Sequence, residues 1–217
     1  MKPLTVLGID LAGSPKRPTG VCLLRGLRAS TSVAHSDEEI LAAAMAGVGL
    51  VAIDAPVSLP TRRCCLRNNC VCAGKAHFRE CDLELRKFGI KFFPITLGPM
   101  RMLTQRGMRL KEEFERRGFE IVETYPGGAQ DLLGMPRQKD PAGLGRALMR
   151  YGITGDIEKE SITRDELDAI TCALVARLCV KGKHLALGNP SEGQIILPRP
   201  KAQSKKTHRR RRPRASL

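Results

Sequence analysis

A mixed α/β fold is what this sequence predicts, and three observations predict it. Short apolar runs, separated by turn residues, end in acids at Asp10, Asp54 and Glu123, the pattern of strands that meet solvent at one end of a sheet. Segments with helical periodicity and recognisable caps stand between and after them. The run over residues 48–54 is continuously apolar rather than alternating, as expected of a strand buried on both faces.

The elements follow in order. Residues 4–10 form the first strand, ahead of a loop punctuated by Gly13, Pro15, Pro18 and Gly20. Residues 21–24 and 28–33 read as the second and third strands, joined by hairpins. Ser36-Asp37-Glu38-Glu39 is a capping box before a short helix over 40–45. After the buried strand, residues 60–95 read as an irregular insertion. A basic amphipathic helix covers 100–117 and stops at Gly118. The strand 119–123 follows, then a turn at Tyr125-Pro126-Gly127-Gly128, and a short helix over 144–151. Thr163-Arg164-Asp165-Glu166 is a second capping box, opening a long helix to about residue 180 with Leu167, Ile170, Leu174 and Leu178 at helical spacing. Residues 194–197 are a last strand. No internal repeat is evident.

A chain of 217 residues suits one domain with additions: residues 1–198 as the domain, 60–95 inserted within it, and 199–217 as a tail. Hydrophobic residues make up 42%, but Trp is absent and aromatics are 4%, so aliphatic side chains must build the core. No apolar run approaches the roughly 18 residues of a membrane span. Strand-like sequence begins almost at once, so no cleavable signal peptide is expected and a cytoplasmic protein is the default. The net charge is +15, and nine Lys and Arg with no acid fall in the last nineteen residues. That tail lacks hydrophobic periodicity and is expected to be disordered. It suits phosphates; a solubilising terminus or a contact with acidic membranes would have the same composition. Nucleic acid, DNA or RNA, is the expected partner.

Asp10, Asp54, Glu123, Asp165 and Asp168 are the candidate catalytic acids. Carboxylates gathered at strand ends are unfavourable unless a cation neutralises them, and Mg²⁺ or Mn²⁺ favours such oxygen-rich settings. Asp165 and Asp168 are three residues apart and share a helix face. Asp165 is also explained as a first-turn acid favoured by the helix dipole, whereas Asp168 lies a full turn in. Lys16 and Arg17 follow Asp10 and either reach toward a phosphate or are ordinary exposed charges. Of the eight cysteines, Cys64, Cys65, Cys70, Cys72 and Cys81 lie close together with His77. Four of these six groups would make a tetrahedral zinc site, with an iron–sulfur cluster or reduced thiols as the alternatives. Cys22, Cys172 and Cys179 read as small core residues.

Gly8-Ile9-Asp10-Leu11-Ala12-Gly13 with Thr19-Gly20-Val21 resembles the opening of RNase H-like nucleases of the Holliday-junction-resolvase type. The Asp54-Ala55-Pro56 step, Arg79-Glu80-Cys81-Asp82, Glu123-Thr124-Tyr125-Pro126 and Asp165-Glu166-Leu167-Asp168-Ala169 are similar to the motifs of the DUF429 family of predicted nucleases, over about residues 4–198. The resemblance implies an RNase H-like mixed five-stranded sheet flanked by helices, with the Cys-rich insertion and the disordered basic tail added. It also implies phosphodiester hydrolysis on two divalent ions, with Asp10 bridging them, Asp54 and Asp168 completing the sites and Glu123 peripheral. Arg79 and Asp82 either belong to that pattern or form a structural ion pair. The resolvase likeness allows a homodimer. A catalytically silent nucleic-acid-binding protein is the alternative function. A sugar-kinase-like phosphotransferase would need a second domain and a second Gly-rich loop that the sequence lacks.

Overall fold

The computed structural model describes residues 4–14, 16–44 and 47–200; the predicted disorder of the basic tail lies, from residue 201 on, outside them. The elements in chain order are β1 (Thr5–Asp10), β2 (Thr19–Arg25), β3 (Arg28–Ala34), α1 (Asp37–Ala42), β4 (Val48–Ile53), α2 (Glu80–Lys87), α3 (Gly98–Arg116), β5 (Ile121–Thr124), α4 (Pro126–Leu133), α5 (Pro141–Arg150), β6 (Thr154–Gly155), α6 (Arg164–Val180), β7 (His184–Leu187) and β8 (Ile195–Pro198).

All eight strands join one mixed sheet in the order β6-β3-β2-β1-β4-β5-β8-β7. The strands β1, β2 and β3 form the predicted antiparallel hairpins, while β4 runs parallel to β1, and β5 and β8 continue in the same sense. The expected five strands are therefore too few. The hairpin β7–β8 widens one edge, and a two-residue β6 pairs with β3 at the other.

The sheet is buried on both faces. From β4, Leu50 and Ala52 join the cluster formed with α4, α5 and α6, whereas Val51 and Ile53 join α1 and α3 on the opposite face. This two-sided burial explains why β4 is apolar at consecutive positions. The helix α6 is buried on nearly every side, from Glu166 to Ala176, because the sheet covers one flank and α4 and α5 the other. Its Thr163 capping box forms as expected: the Thr163 hydroxyl accepts from Glu166 N–H, and the Glu166 carboxylate accepts from Thr163 N–H at 2.8 Å.

Two local readings need correction. The expected turn at 125–128 is the start of helix α4, with Pro126 in the first turn, where its fixed φ and missing N–H are harmless. The insertion over 60–95 is not irregular throughout. It contains α2, which buries Cys81 and Leu85 against α4, β7 and β8. Among the described residues, no helix is long and apolar enough to cross a membrane.

Candidate functional site

Glycines bring the acids together. The backbone of α6 lies directly on β1 and β2, so that a Cβ at Gly8 would come within 2.2 Å of Ala169 O and Ala173 N. A Cβ at Gly20 would sit 2.1 Å from Asp165 O. Gly20 is in turn the cross-strand partner of Asp10. The helix start carrying Asp165 and Asp168 is thereby laid beside the C-terminal end of β1. Asp54 follows β4, the parallel neighbour of β1, and its N–H donates to Ile9 O at 2.8 Å. On the other face α3 packs onto the Ala55-Pro56 step, where a Cβ at Gly107 would meet Pro56 O at 2.8 Å.

The gathered charge shows in three of these aspartates. Burial, and then the charges of Asp54, Asp168 and Asp165, push the Asp10 carboxyl well above its ordinary pKa. Asp54 is raised by burial and by Asp168 and Glu123. Asp168 is pushed up to about 6 by burial and by Asp165, against the opposing pull of Gln130 and Arg137. Like charges close together in a poorly solvated place cannot all ionise without compensation. Yet among the described residues no donor bonds to the carboxylates of Asp10, Asp54 or Asp165. Among those residues Asp168 accepts only from Gln130 Nε2, at 2.6 Å. The amide oxygen of Gln130 is itself buried with no donor.

Glu123, beside Asp54, differs from the aspartates in having a cation of its own. Arg79, 1% exposed, donates from Nη1 and Nη2 to Glu123 at 2.6 Å each, and from Nη2 and Nε to Asp82 at 2.8 and 3.2 Å. Glu123 also accepts from Val57 N–H at 3.0 Å. Burial raises its pKa while Arg79 pulls it back. The predicted pair Arg79–Asp82 is thus an ion pair, widened to include Glu123 as a third member.

Two cavities open on the acids. One, of about 320 Å³, is lined by Asp10 and Asp165 together with Gly13, Ser14, Arg17 and Gln138. The other, of about 250 Å³, is lined by Asp54, Glu123, Tyr125 and the Arg79–Asp82 pair. Met100 and Leu103 of α3 line both. Of the two basic residues after Asp10, Arg17 reaches the first cavity and Lys16 is exposed outside it. The loop after Asp10 is held from beneath by Arg106 of α3, which donates to Ala12 O at 2.6 Å and to Asp37 at 2.7 Å.

The predicted six-ligand metal set contracts to four. The sulfurs of Cys64, Cys65, Cys70 and Cys72 all lie within 4.8 Å of one another, a group that could hold a metal ion. His77 is turned away and pairs through Nδ1 with Thr96 Oγ1 at 2.8 Å. Cys81 is fully buried in the core under α2. The four thiols are strongly interacting. Burial opposes ionisation of Cys72, but the backbone N–H groups of Cys64 and Cys65 draw it down to about 6. Cys64 is pushed up to about 12, chiefly by hydrogen bonds to Cys70 and Cys72. Among the described residues this is the one group of three or more such ligands drawn so closely together; no three of the acids are.

A family model described as "Protein of unknown function (DUF429)" matches residues 8–192. The chain belongs to the DUF429 family. Neither the curated proteins nor the solved structures compared with it yield a match. The span shared with DUF429 includes every candidate acid and all four clustered cysteines, and it ends before β8.

Several residues around the acids in this DUF429 chain escaped the sequence reading. Gln130, which holds Asp168 and also donates to Thr171 Oγ1 at 3.2 Å, lies on α4, the helix mistaken for a turn. Taking Pro126 as a first-turn proline would have placed Gln130 one turn into a buried helix. Arg137 lowers the pKa of Asp168 from the loop after α4, where it pairs with Asp131. Arg106 is one of several arginines on a basic helix, and nothing in its local sequence marks it as the buried one.

Proposed function

We propose that this protein is a metal-dependent nuclease of RNase H-like fold that hydrolyses nucleic-acid phosphodiesters, with Mg²⁺ or Mn²⁺ held by Asp10, Asp54, Asp165 and Asp168. One observation carries the reading. Four aspartates come together from three separate elements, the charges of the other three raise the pKa of Asp10, and three of the four have no donor among the described residues. Hard divalent cations take oxygen ligands, and Mg²⁺ is commonly held by one or two carboxylates while water and phosphate oxygens complete its shell. Among the described residues no three of the acids close on one point, which suits that mode. The order of an acid ending β1, a hairpin, an acid after β4 and an acid pair opening the last helix supports the RNase H-like resemblance.

When bound, such ions neutralise charge on a scissile phosphate and activate the attacking water. The chain's own groups do the rest. Asp10 lies close enough to be perturbed by all three other aspartates, which makes it the residue best placed to serve two ions. Gln130 fixes the orientation of the Asp168 carboxylate. Arg17, on the wall of the cavity that contains Asp10, is a donor suited to a non-bridging phosphate oxygen. Glu123 is assigned to the Arg79 ion pair and holds the strand end beside Asp54, outside the metal set.

The test uses labelled single- and double-stranded DNA and RNA with Mg²⁺ or Mn²⁺ added. Cleavage by the wild-type protein is expected, and its loss in Asp10→Asn with binding retained by fluorescence anisotropy. If the wild type binds but cuts none of the four substrates, the nuclease reading fails and the silent binding protein replaces it.

A further inference from the structure

We propose that Cys64, Cys65, Cys70 and Cys72 form a structural zinc site that orders the segment between Asp54 and Arg79. The spacing of the four sulfurs is close to that of the corners of a tetrahedral zinc site. Cys64 Sγ and Cys70 Sγ are 3.4 Å apart, Cys65 Sγ and Cys72 Sγ 3.7 Å, and no pair in the group exceeds 4.8 Å. Four thiolates at the usual Zn–S distance of ~2.3 Å, arranged tetrahedrally, stand about 3.8 Å from one another. Both close pairs are well beyond the roughly 2 Å of a disulfide bond. An iron–sulfur cube holds its thiolates further apart, because each is bonded to a different iron.

The surrounding chain has the features of a metal knuckle. From Thr61 to His77 there is no helix or strand, and only Arg63, Leu66 and Cys72 are buried. So little apolar burial leaves the segment short of what offsets its conformational entropy, the usual situation of small metal-ordered modules. Its own bonds already fold it around the sulfurs. Arg63 bridges Cys65 O at 3.1 Å and Ala76 O at 3.0 Å, while Ala73 N–H donates to Cys70 O and Lys75 N–H to Cys72 O. Four thiolates on Zn²⁺ carry a net double negative charge, and Arg67 lies alongside Cys65 to offset part of it. Soft sulfur ligands select zinc over the hard ions that suit the aspartates, so the two metal preferences do not compete.

This inference does not rest on the nuclease reading and is tested without any cleavage assay. The full chain, purified under reducing conditions without chelator, is measured by elemental analysis. About one zinc per chain is expected, falling to near zero in Cys64→Ser/Cys72→Ser and unchanged in Cys179→Ser and in Asp10→Asn. Because the double variant could fold poorly, the wild-type protein is also exchanged with Co²⁺. Intense visible bands with thiolate-to-cobalt charge transfer are expected, the signature of tetrahedral sulfur ligation. Four free thiols with no metal, disulfides in their place, bound iron, or zinc retained by the double variant would each overturn the proposal.

Discussion

Asp54 and Glu123 stand at the ends of adjacent parallel strands, yet Glu123 is gripped by two guanidinium nitrogens of Arg79 while Asp54 receives no donor among the described residues. Glu123 is buried and Asp54 half-buried at the edge of a cavity, and burial raises the pKa of both. The difference is the cation. Glu123 has one built into the chain, from an arginine that also serves Asp82, whereas among the described residues no cation pairs with Asp54 although Arg79 lines the same cavity. A fold that wanted Asp54 merely as a strand terminus could leave it in water or pair it, as it does with Glu123. Placing it beside Asp10 and Asp168 destabilises the protein unless something positive and external completes the set.

The largest effect should come from breaking the closed side. Arg79→Ala would leave Glu123 and Asp82 buried and uncompensated, destabilising the fold by about 3–5 kcal/mol in denaturant titrations. A loss below ~1 kcal/mol would mean that Arg79 does not neutralise them.

On the open side the sign reverses. The pKa of Asp168 rises from an ordinary 3.8 to about 6 in the folded protein. The folded state therefore holds that proton more tightly than the unfolded chain, and stability is lost as pH rises from 3.8 through about 6. The 8% exposed side chain makes this about 3 kcal/mol at most. Without added divalent metal, Asp168→Asn should lack that decline and exceed the wild type in denaturation midpoint at pH 7. Parallel pH profiles for the two proteins would contradict it.

A smaller effect is expected from the residue between the two sides. Gln130→Leu removes the donor that draws the Asp168 pKa down, a bond to a charged group of about 1.5–3 kcal/mol. For the proposed nuclease activity, the acidic limb of the pH–rate profile should move to higher pH, with more Mg²⁺ needed and activity recovered at alkaline pH. An unmoved limb would make Gln130 a packing residue only.

Much of the closed and open sides was legible in sequence, but unevenly. The strands β1 and β4 announce themselves because continuous apolar runs stop at Asp10 and Asp54, and the α6 start is written in Thr163 and Glu166. Gly8 and Gly20 were read as parts of motifs. Their reason is three-dimensional: the α6 backbone occupies the space a Cβ would need. The grip on Glu123 comes from a residue 44 positions earlier, beyond any local pattern. Pro126-Gly127-Gly128 imitates a turn, although Gly128 is small because Tyr125 and Ile90 crowd it, at 3.0 and 3.2 Å from where a Cβ would be. His77 and Cys81 had the chemistry of ligands and the wrong positions, one bonded to Thr96 and one sealed in the core.

Titration with Mn²⁺, followed by calorimetry on the wild type, Asp10→Asn, Asp54→Asn and Glu123→Gln, tests the central contrast most directly. Saturable binding is expected in the wild type and in Glu123→Gln, with loss in both aspartate variants. Equal binding by all four proteins, or no saturable binding by the wild type, would show that the unpaired aspartates are not a metal site.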